Sequence, residues 1–187
     1  MTVLTKKMTY PEYSALEFDD DDNFQYELIN GELVKKSSPS VAHQRIIRRL
    51  VKIFEKYLDA NPAGELLFAP LDVVLDAFNA PQPDILFIRN DRKQIIDEQE
   101  QVIMGAPDVV VEVISPGSIK RDRIEKKEVY EQFGIPEFWI VDPNNKAIEV
   151  YCLHENRYKV FAFAAENGNV QSSVLTGFEL DVADIFV

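Results

Sequence analysis

The sequence predicts an α/β domain built on a mixed β-sheet, and three observations carry that expectation. Val109-Val110-Val111-Glu112-Val113-Ile114 is an apolar run of strand length that can be buried on both faces of a sheet. From His43 to Leu58 the apolar residues Ile47, Leu50, Phe54 and Leu58 recur at helical spacing. Along the chain a helix is followed by several strands, a second helix and further strands, with no repeat and no Ser/Pro/Gly-rich linker. A single domain is expected over all 187 residues.

The first element expected is a short helix from Met8 to Leu16. Phe24 to Ile29 and Glu32 to Lys35 then frame Asn30-Gly31, a pair that accepts φ > 0 at both central positions of a hairpin. Ser37-Ser38-Pro39-Ser40 offers N-cap oxygens to the helix that begins near His43. Leu66 to Leu75, Pro83 to Ile88 and Val109 to Ile114 read as strands. A second helix should run from about Ser118 to Phe133, stopped by Gly134 and Pro136. Phe138 to Val141 reads as a buried strand that ends in the turn Asp142-Pro143-Asn144-Asn145. Ile148 to Leu153 and Tyr158 to Phe163 then pair as a late hairpin around His154 to Arg157.

Composition narrows the class. With 46% hydrophobic and 28% charged residues, most of the chain should fold rather than stay disordered. The net charge of −12 argues at face value against a polyanionic partner. Five of those negative charges crowd into Glu17-Phe18-Asp19-Asp20-Asp21-Asp22, which lacks the alternating spacers and turn glycine of a calcium loop and reads as a solvated acidic loop. The single cysteine, Cys152, has no internal disulfide partner, and with only His43 and His154 beside it a four-ligand zinc site is not expected. No apolar run matches a signal peptide or a membrane span, so a cytoplasmic protein with no membrane partner is expected.

Chemistry concentrates around Glu112. A lone buried carboxylate costs several kcal/mol, so Glu112 must lie at the mouth of the sheet, pair with a core cation or hold a metal. Gln82-Pro83-Asp84-Ile85-Leu86-Phe87 repeats the pattern of an acid beside apolar strand residues. Asp84 alone reads as a strand-initiating turn acid; if the two strands are neighbours, it approaches Glu112 at one sheet edge, where two carboxylates need a divalent cation or a shared proton. On the following helix Asp122, Lys126, Val129, Tyr130 and Phe133 form one stripe, so Lys126 either reaches back over Glu112 or pairs with Asp122. Tyr130 and Trp139 read as core residues, Tyr130 with a hydroxyl that can meet a site acid. His43, at the start of its helix, reads as a solvated residue or a phosphate contact.

Five ordered blocks carry a family resemblance: Tyr26 to Glu32, Gln82-Pro83-Asp84, Gly105 to Pro116, Asp122-Arg123-x-Glu125-Lys126-x-x-x-Tyr130, and Glu137 to Pro143. Together they resemble the putative restriction endonuclease family of the PD-(D/E)XK nuclease superfamily, with a core from about residue 9 to residue 153. The resemblance implies a restriction-endonuclease-like fold, a central mixed sheet flanked by helices, to which this chain adds an N-terminal hairpin and a C-terminal one. It implies Asp84 and Glu112 as metal ligands, with the main-chain carbonyl of Val113 joining the shell. The superfamily lysine position is occupied by Ile114, and Lys126 matches the lysine that the family carries on the next helix. Glu27 is a further catalytic candidate, as a metal ligand, as a partner for Lys126 or as an ordinary hairpin residue.

The function implied is an endonuclease that hydrolyses DNA phosphodiester bonds with Mg²⁺ or Mn²⁺ and no organic cofactor, Lys126 orienting water or neutralising developing charge. Arg45, Arg48, Arg49, Lys52 and Lys56 face one acid, Glu55, for a local +4, and the stretch from Ser115 to Lys127 carries +3 through Lys120, Arg121, Arg123, Lys126 and Lys127. Together these cations offer a path for DNA, whereas either helix taken alone reads better as a solvated face. Two other functions compete: a nuclease fold without turnover that serves as a nucleic-acid-binding or interaction module, and an acid/base enzyme such as a glycosidase. A homodimer is expected by analogy, with the late hairpin and the tail Ile185-Phe186-Val187 as its candidate surface.

Overall fold

The structure is a computed structural model that describes residues 6–17, 24–36 and 38–187. Apart from Glu17, the acidic run lies outside the described residues, as does Ser37. The chain begins with α1 (Tyr10–Ser14), capped by a reciprocal pair of bonds between Thr9 and Glu12. A hairpin follows, β1 (Gln25–Ile29) and β2 (Glu32–Lys36), turned through Asn30 at φ 53° and Gly31 at φ 77°. A side chain at position 31 would also strike Lys7, whose Cβ lies 2.7 Å from the place a Cβ would occupy.

The long helix α2 (Val41–Ala60) is capped by Ser40, whose hydroxyl accepts the His43 N–H at 3.1 Å. Its buried stripe is Ile46, Leu50 and Phe54, while Ile47, expected inside, is partly exposed on the flank. After α2 come β3 (Gly64–Phe68), β4 (Val73–Val74) and β5 (Ile85–Arg89). The single strand expected from Leu66 to Leu75 is thus two strands in different sheets. Ala69 still donates to Asp84, but Pro70 has no N–H with which to continue the ladder.

A 3₁₀ turn (Asn90–Ile95), β6 (Ile96–Asp97) and β7 (Val102–Met104) follow, too short and too polar to stand out by periodicity. Then come β8 (Val109–Val113), a π-helical segment (Arg121–Lys126) that runs into α3 (Lys127–Gln132), β9 (Glu137–Asp142), β10 (Ala147–His154) and β11 (Arg157–Ala165). The chain closes with β12 (Asn169–Gln171), β13 (Glu179–Asp181) and a 3₁₀ turn (Val182–Asp184), none of which the sequence reading placed.

Six strands form the central sheet in the order β11-β10-β9-β8-β5-β3. The β8–β9 pair is parallel and is bridged by the π/α3 crossover; every other neighbour is antiparallel. This is the mixed α/β fold expected. Alternation splits the core: Ile85, Phe87, Val109, Val111 and Trp139 pack beneath α2 and the C-terminal segment, while Leu86, Ile88, Val110, Ile114 and Phe138 pack beneath Tyr130 of α3. Trp139 is core, edge-on to Phe54 with ring centres 5.8 Å apart. The expected apolar tail surface needs correcting. Ile185 is fully buried, its carbonyl accepts Arg49 Nη1 at 2.8 Å, and Phe186 is partly buried against the same core, so of the three tail residues Val187 faces outward. Among the described residues no helix is long and apolar enough to cross a membrane.

Candidate active site

Two carboxylates meet where β5 and β8 run out. Ile85 pairs with Val111 across that antiparallel ladder, so the next step outward sets Asp84 opposite Glu112 on the α3 side of the sheet. Both line one cleft of about 1380 Å³ between the N-terminal end of α2 and the π segment. Asp84 Oδ2 accepts the Val113 N–H at 2.7 Å and lies 3.2 Å from His43 Nε2. Among the described residues Oδ1 has no hydrogen-bond partner. Burial alone would raise the Asp84 pKa, but His43, Lys36 and the Val113 N–H outweigh it and hold the carboxyl below its ordinary value.

Glu112 is held from behind. Its Oε1 accepts Lys126 Nζ at 2.8 Å and the Tyr130 hydroxyl at 2.6 Å, which leaves Oε2 without a partner among the described residues. Burial pushes the Glu112 carboxyl up to about 8, against the pull of Lys126. Lys126 donates equally to Glu27 Oε2, also at 2.8 Å, and is sealed at 0% exposure. Burial would lower the Lys126 pKa, yet Glu112, Glu27 and Asp122 hold it well above its ordinary value. Glu27 is pulled below its ordinary value despite complete burial, chiefly by Lys126 and Lys36, and it also accepts the Gln82 N–H at 3.2 Å. Of the three roles open to Glu27, the geometry builds the partner of Lys126.

The lysine head group therefore arrives from the helix. Ile114, at the superfamily lysine position, is 4% exposed and packs in the same apolar cluster as Tyr130. Lys126 sits behind Glu112 and does not line the cleft. The π turn that carries it faces Asp122, Lys126, Val129 and Tyr130 inward, the stripe expected from spacing. π turns widen a helix and recur at functional sites.

His43 is the residue whose position sequence reasoning missed. It lines the cleft with a side chain only 13% exposed: Nε2 lies 3.2 Å from Asp84 Oδ2 and 3.1 Å from the Val113 carbonyl. Burial would lower its pKa, but Asp84 raises it overall. The one sequence signal was the Ser40 cap three residues before His43, which fixes the first helical turn and so where its ring points.

The basic residues are divided by the fold. Arg45, Arg48 and Arg121 line the cleft. Arg49 is occupied by the Ile185 carbonyl, and Arg123 by Asp142 at 2.9 Å and Glu149 at 2.6 Å. Lys120 is exposed and paired with Glu125 at 3.0 Å. Lys52 is exposed on α2 outside the cleft lining. Of the cations expected along both helices, three arginines line the cleft, where Lys35 and Lys36 of β2 join them.

Among the described residues no three His, Cys, Asp or Glu side chains are grouped so that they could hold a metal ion. The site offers two carboxylates, each with an open oxygen, and the Val113 carbonyl beside them. An oxygen donor set of this size fits an ion that keeps several of its own waters, as Mg²⁺ does.

A mixed sheet flanked by helices, with paired acids at the end of adjacent central strands, is the architecture of a nuclease fold. The crystal structure of a putative nuclease belonging to DUF820 from Anabaena variabilis ATCC 29413 superposes with a TM-score of 0.76 at 20% identity, over 96% of this chain and 97% of that one. The family model of Uma2, described as putative restriction endonuclease, matches residues 10–183. The chain belongs to that family. No curated protein matches it.

Proposed function

We propose that the chain is a single-domain endonuclease of the PD-(D/E)XK type, hydrolysing DNA phosphodiester bonds with Mg²⁺ or Mn²⁺. One observation carries the reading: Asp84 and Glu112 face each other at the cleft, each with one oxygen fixed by protein donors and the other open. Asp84, Glu112 and the Val113 carbonyl would hold the ion. Bound there, a divalent cation supplies Lewis-acid stabilisation of phosphate charge and a water of lowered pKa.

The chain's own residues do the rest. The Val113 N–H fixes Asp84, while Lys126 and Tyr130 fix Glu112 and keep its open oxygen aimed at the cleft. Glu27 holds Lys126 in register, so Lys126 and Glu27 are positioning residues. Arg45, Arg48 and Arg121 would meet the phosphates of the strand. Ile114 at the usual lysine position does not favour an inactive module, since Lys126 brings an ammonium to the same carboxylate.

Cleavage of both strands calls for two sites, and the reading includes a homodimer. Its candidate surface is the β11 edge, where Val160, Phe161 and Phe163 are 50–60% exposed; light scattering of the full chain tests it. The decisive assay for the chemistry is supercoiled-plasmid cleavage with Mg²⁺ or Mn²⁺ by the parent, Asp84→Asn and Glu112→Gln. Nicking by the parent and loss in both variants is the expected result. Equal activity in all three, or none in the parent with either ion, overturns the reading.

A further inference from the structure

Two phenylalanine rings stand in the cleft that holds the paired acids. Phe24, the residue before β1, is 45% exposed, and Phe68, the last residue of β3, is 55% exposed; both line the same cleft as Asp84 and Glu112. Phe68 pairs with Ile85, the residue after Asp84, so its backbone lies beside the strand that follows the acid. Phe24 leads into the N-terminal hairpin, and the Lys35 ammonium stands 3.4 Å from its ring centre. One half-exposed phenylalanine is ordinary on a protein surface. Two in one cleft, with Lys36, Arg45, Arg48 and Arg121 on the same walls, set apolar ring faces beside cations.

An unpaired nucleic-acid strand complements that pairing. A base in a duplex keeps its faces in the stack and shows a protein its edges, whereas an unpaired base offers a face on which a ring can stack while cations follow the phosphates. A duplex is also stiff over about 150 base pairs, so a single strand follows a concave wall more readily. The cleft volume of about 1380 Å³ exceeds the roughly 300–1,000 Å³ of a small-molecule pocket and suits a stretch of polymer. We propose that the cleft takes an unpaired stretch of DNA, with bases stacked on Phe24 and Phe68 and the backbone led over the acids. The inference rests on the endonuclease reading of this site and names the form of DNA that it cuts.

The test compares one unstructured oligonucleotide with its duplex, using the full chain. With Mg²⁺ or Mn²⁺ the single strand should be cut roughly tenfold or more faster. With metal chelated to stop turnover, fluorescence anisotropy should show the single strand bound roughly tenfold tighter than the duplex, and tighter by a similar factor than the same strand with its bases removed to leave abasic sites. Phe24→Leu and Phe68→Leu keep apolar bulk without a ring, and each should weaken single-strand binding roughly fivefold or more while leaving the abasic strand within about twofold of the parent. Phe24→Tyr and Phe68→Tyr should restore it. A duplex cut as fast as the single strand, an abasic strand bound as tightly as the intact one, or leucine variants that weaken every substrate equally or none overturns the inference and leaves the endonuclease reading standing. A parent that cuts neither form with either ion removes the endonuclease reading and this inference with it.

Discussion

Glu112 and Glu137 are both buried glutamates, on the adjacent strands β8 and β9, and they are used in opposite ways. Glu137 is saturated by the protein. Its Oε1 accepts Trp139 Nε1 and the Ser172 hydroxyl, each at 2.7 Å, and its Oε2 accepts the Ser173 N–H, the Ser173 hydroxyl and the Val174 N–H between 2.6 and 3.1 Å. These neutral donors pin the C-terminal segment to the end of the sheet. Glu112 has one oxygen bound to Lys126 and Tyr130 and the other open to the cleft. A carboxylate with its lone pairs filled is a structural joint, whereas one held firmly by half is available to a ligand.

The sharpest way to break this contrast is to remove the cation behind Glu112. Lys126→Met leaves Glu27 and Glu112 buried and uncompensated, and should cost about 3–5 kcal/mol of stability in urea denaturation. A loss under 1 kcal/mol would mean that the two glutamates have other means of neutralisation. Glu112→Gln should reduce plasmid cleavage per folded molecule by roughly a hundredfold or more, since a metal ligand contributes several kcal/mol to the transition state.

Glu137→Gln should do the reverse. It removes charge-assisted bonds and turns an N–H₂ towards existing donors, which costs about 1–3 kcal/mol of stability, while cleavage by the folded fraction stays within a few-fold of the parent. Activity lost in Glu137→Gln at unchanged stability would erase the distinction between the two glutamates.

The smallest effect is a slope with pH. Burial raises Glu112 to about 8 from an ordinary value of 4.5. A carboxyl raised in the folded state contributes stability that is fully present below the unfolded value and is lost as the pH rises through the folded one. The metal-free chain should therefore lose stability between pH 4.5 and about 8, and Glu112→Gln should lack that part of the slope. Urea midpoints measured across this range compare the two, and identical slopes would count against a raised Glu112.

The same contrast marks where sequence reading stops. Val109 to Ile114 announced a buried strand bearing one acid, and the spacing of Asp122, Lys126 and Tyr130 announced a helix stripe that could answer it. Periodicity carried both because each element repeats over several residues. Nothing in Pro136-Glu137-Phe138-Trp139 revealed that Glu137 would be filled by Ser172 and Ser173, since those partners lie far along the chain in a segment with no strong pattern. His43 was hidden for the same reason: its helix was plain, but the meeting with Asp84 and Val113 depends on how α2 crosses the sheet end. The split of the strand expected from Leu66 to Leu75 turned on Pro70, a local signal that an otherwise apolar run concealed.

The most direct test of the account is a crystal structure of the full chain soaked in Mn²⁺, with data collected at an energy where manganese scatters anomalously. The account predicts a peak at the cleft within coordination distance of Asp84, Glu112 and the Val113 carbonyl, and none beside Glu137. A saturating soak that leaves the space between Asp84 and Glu112 without an anomalous peak would contradict it.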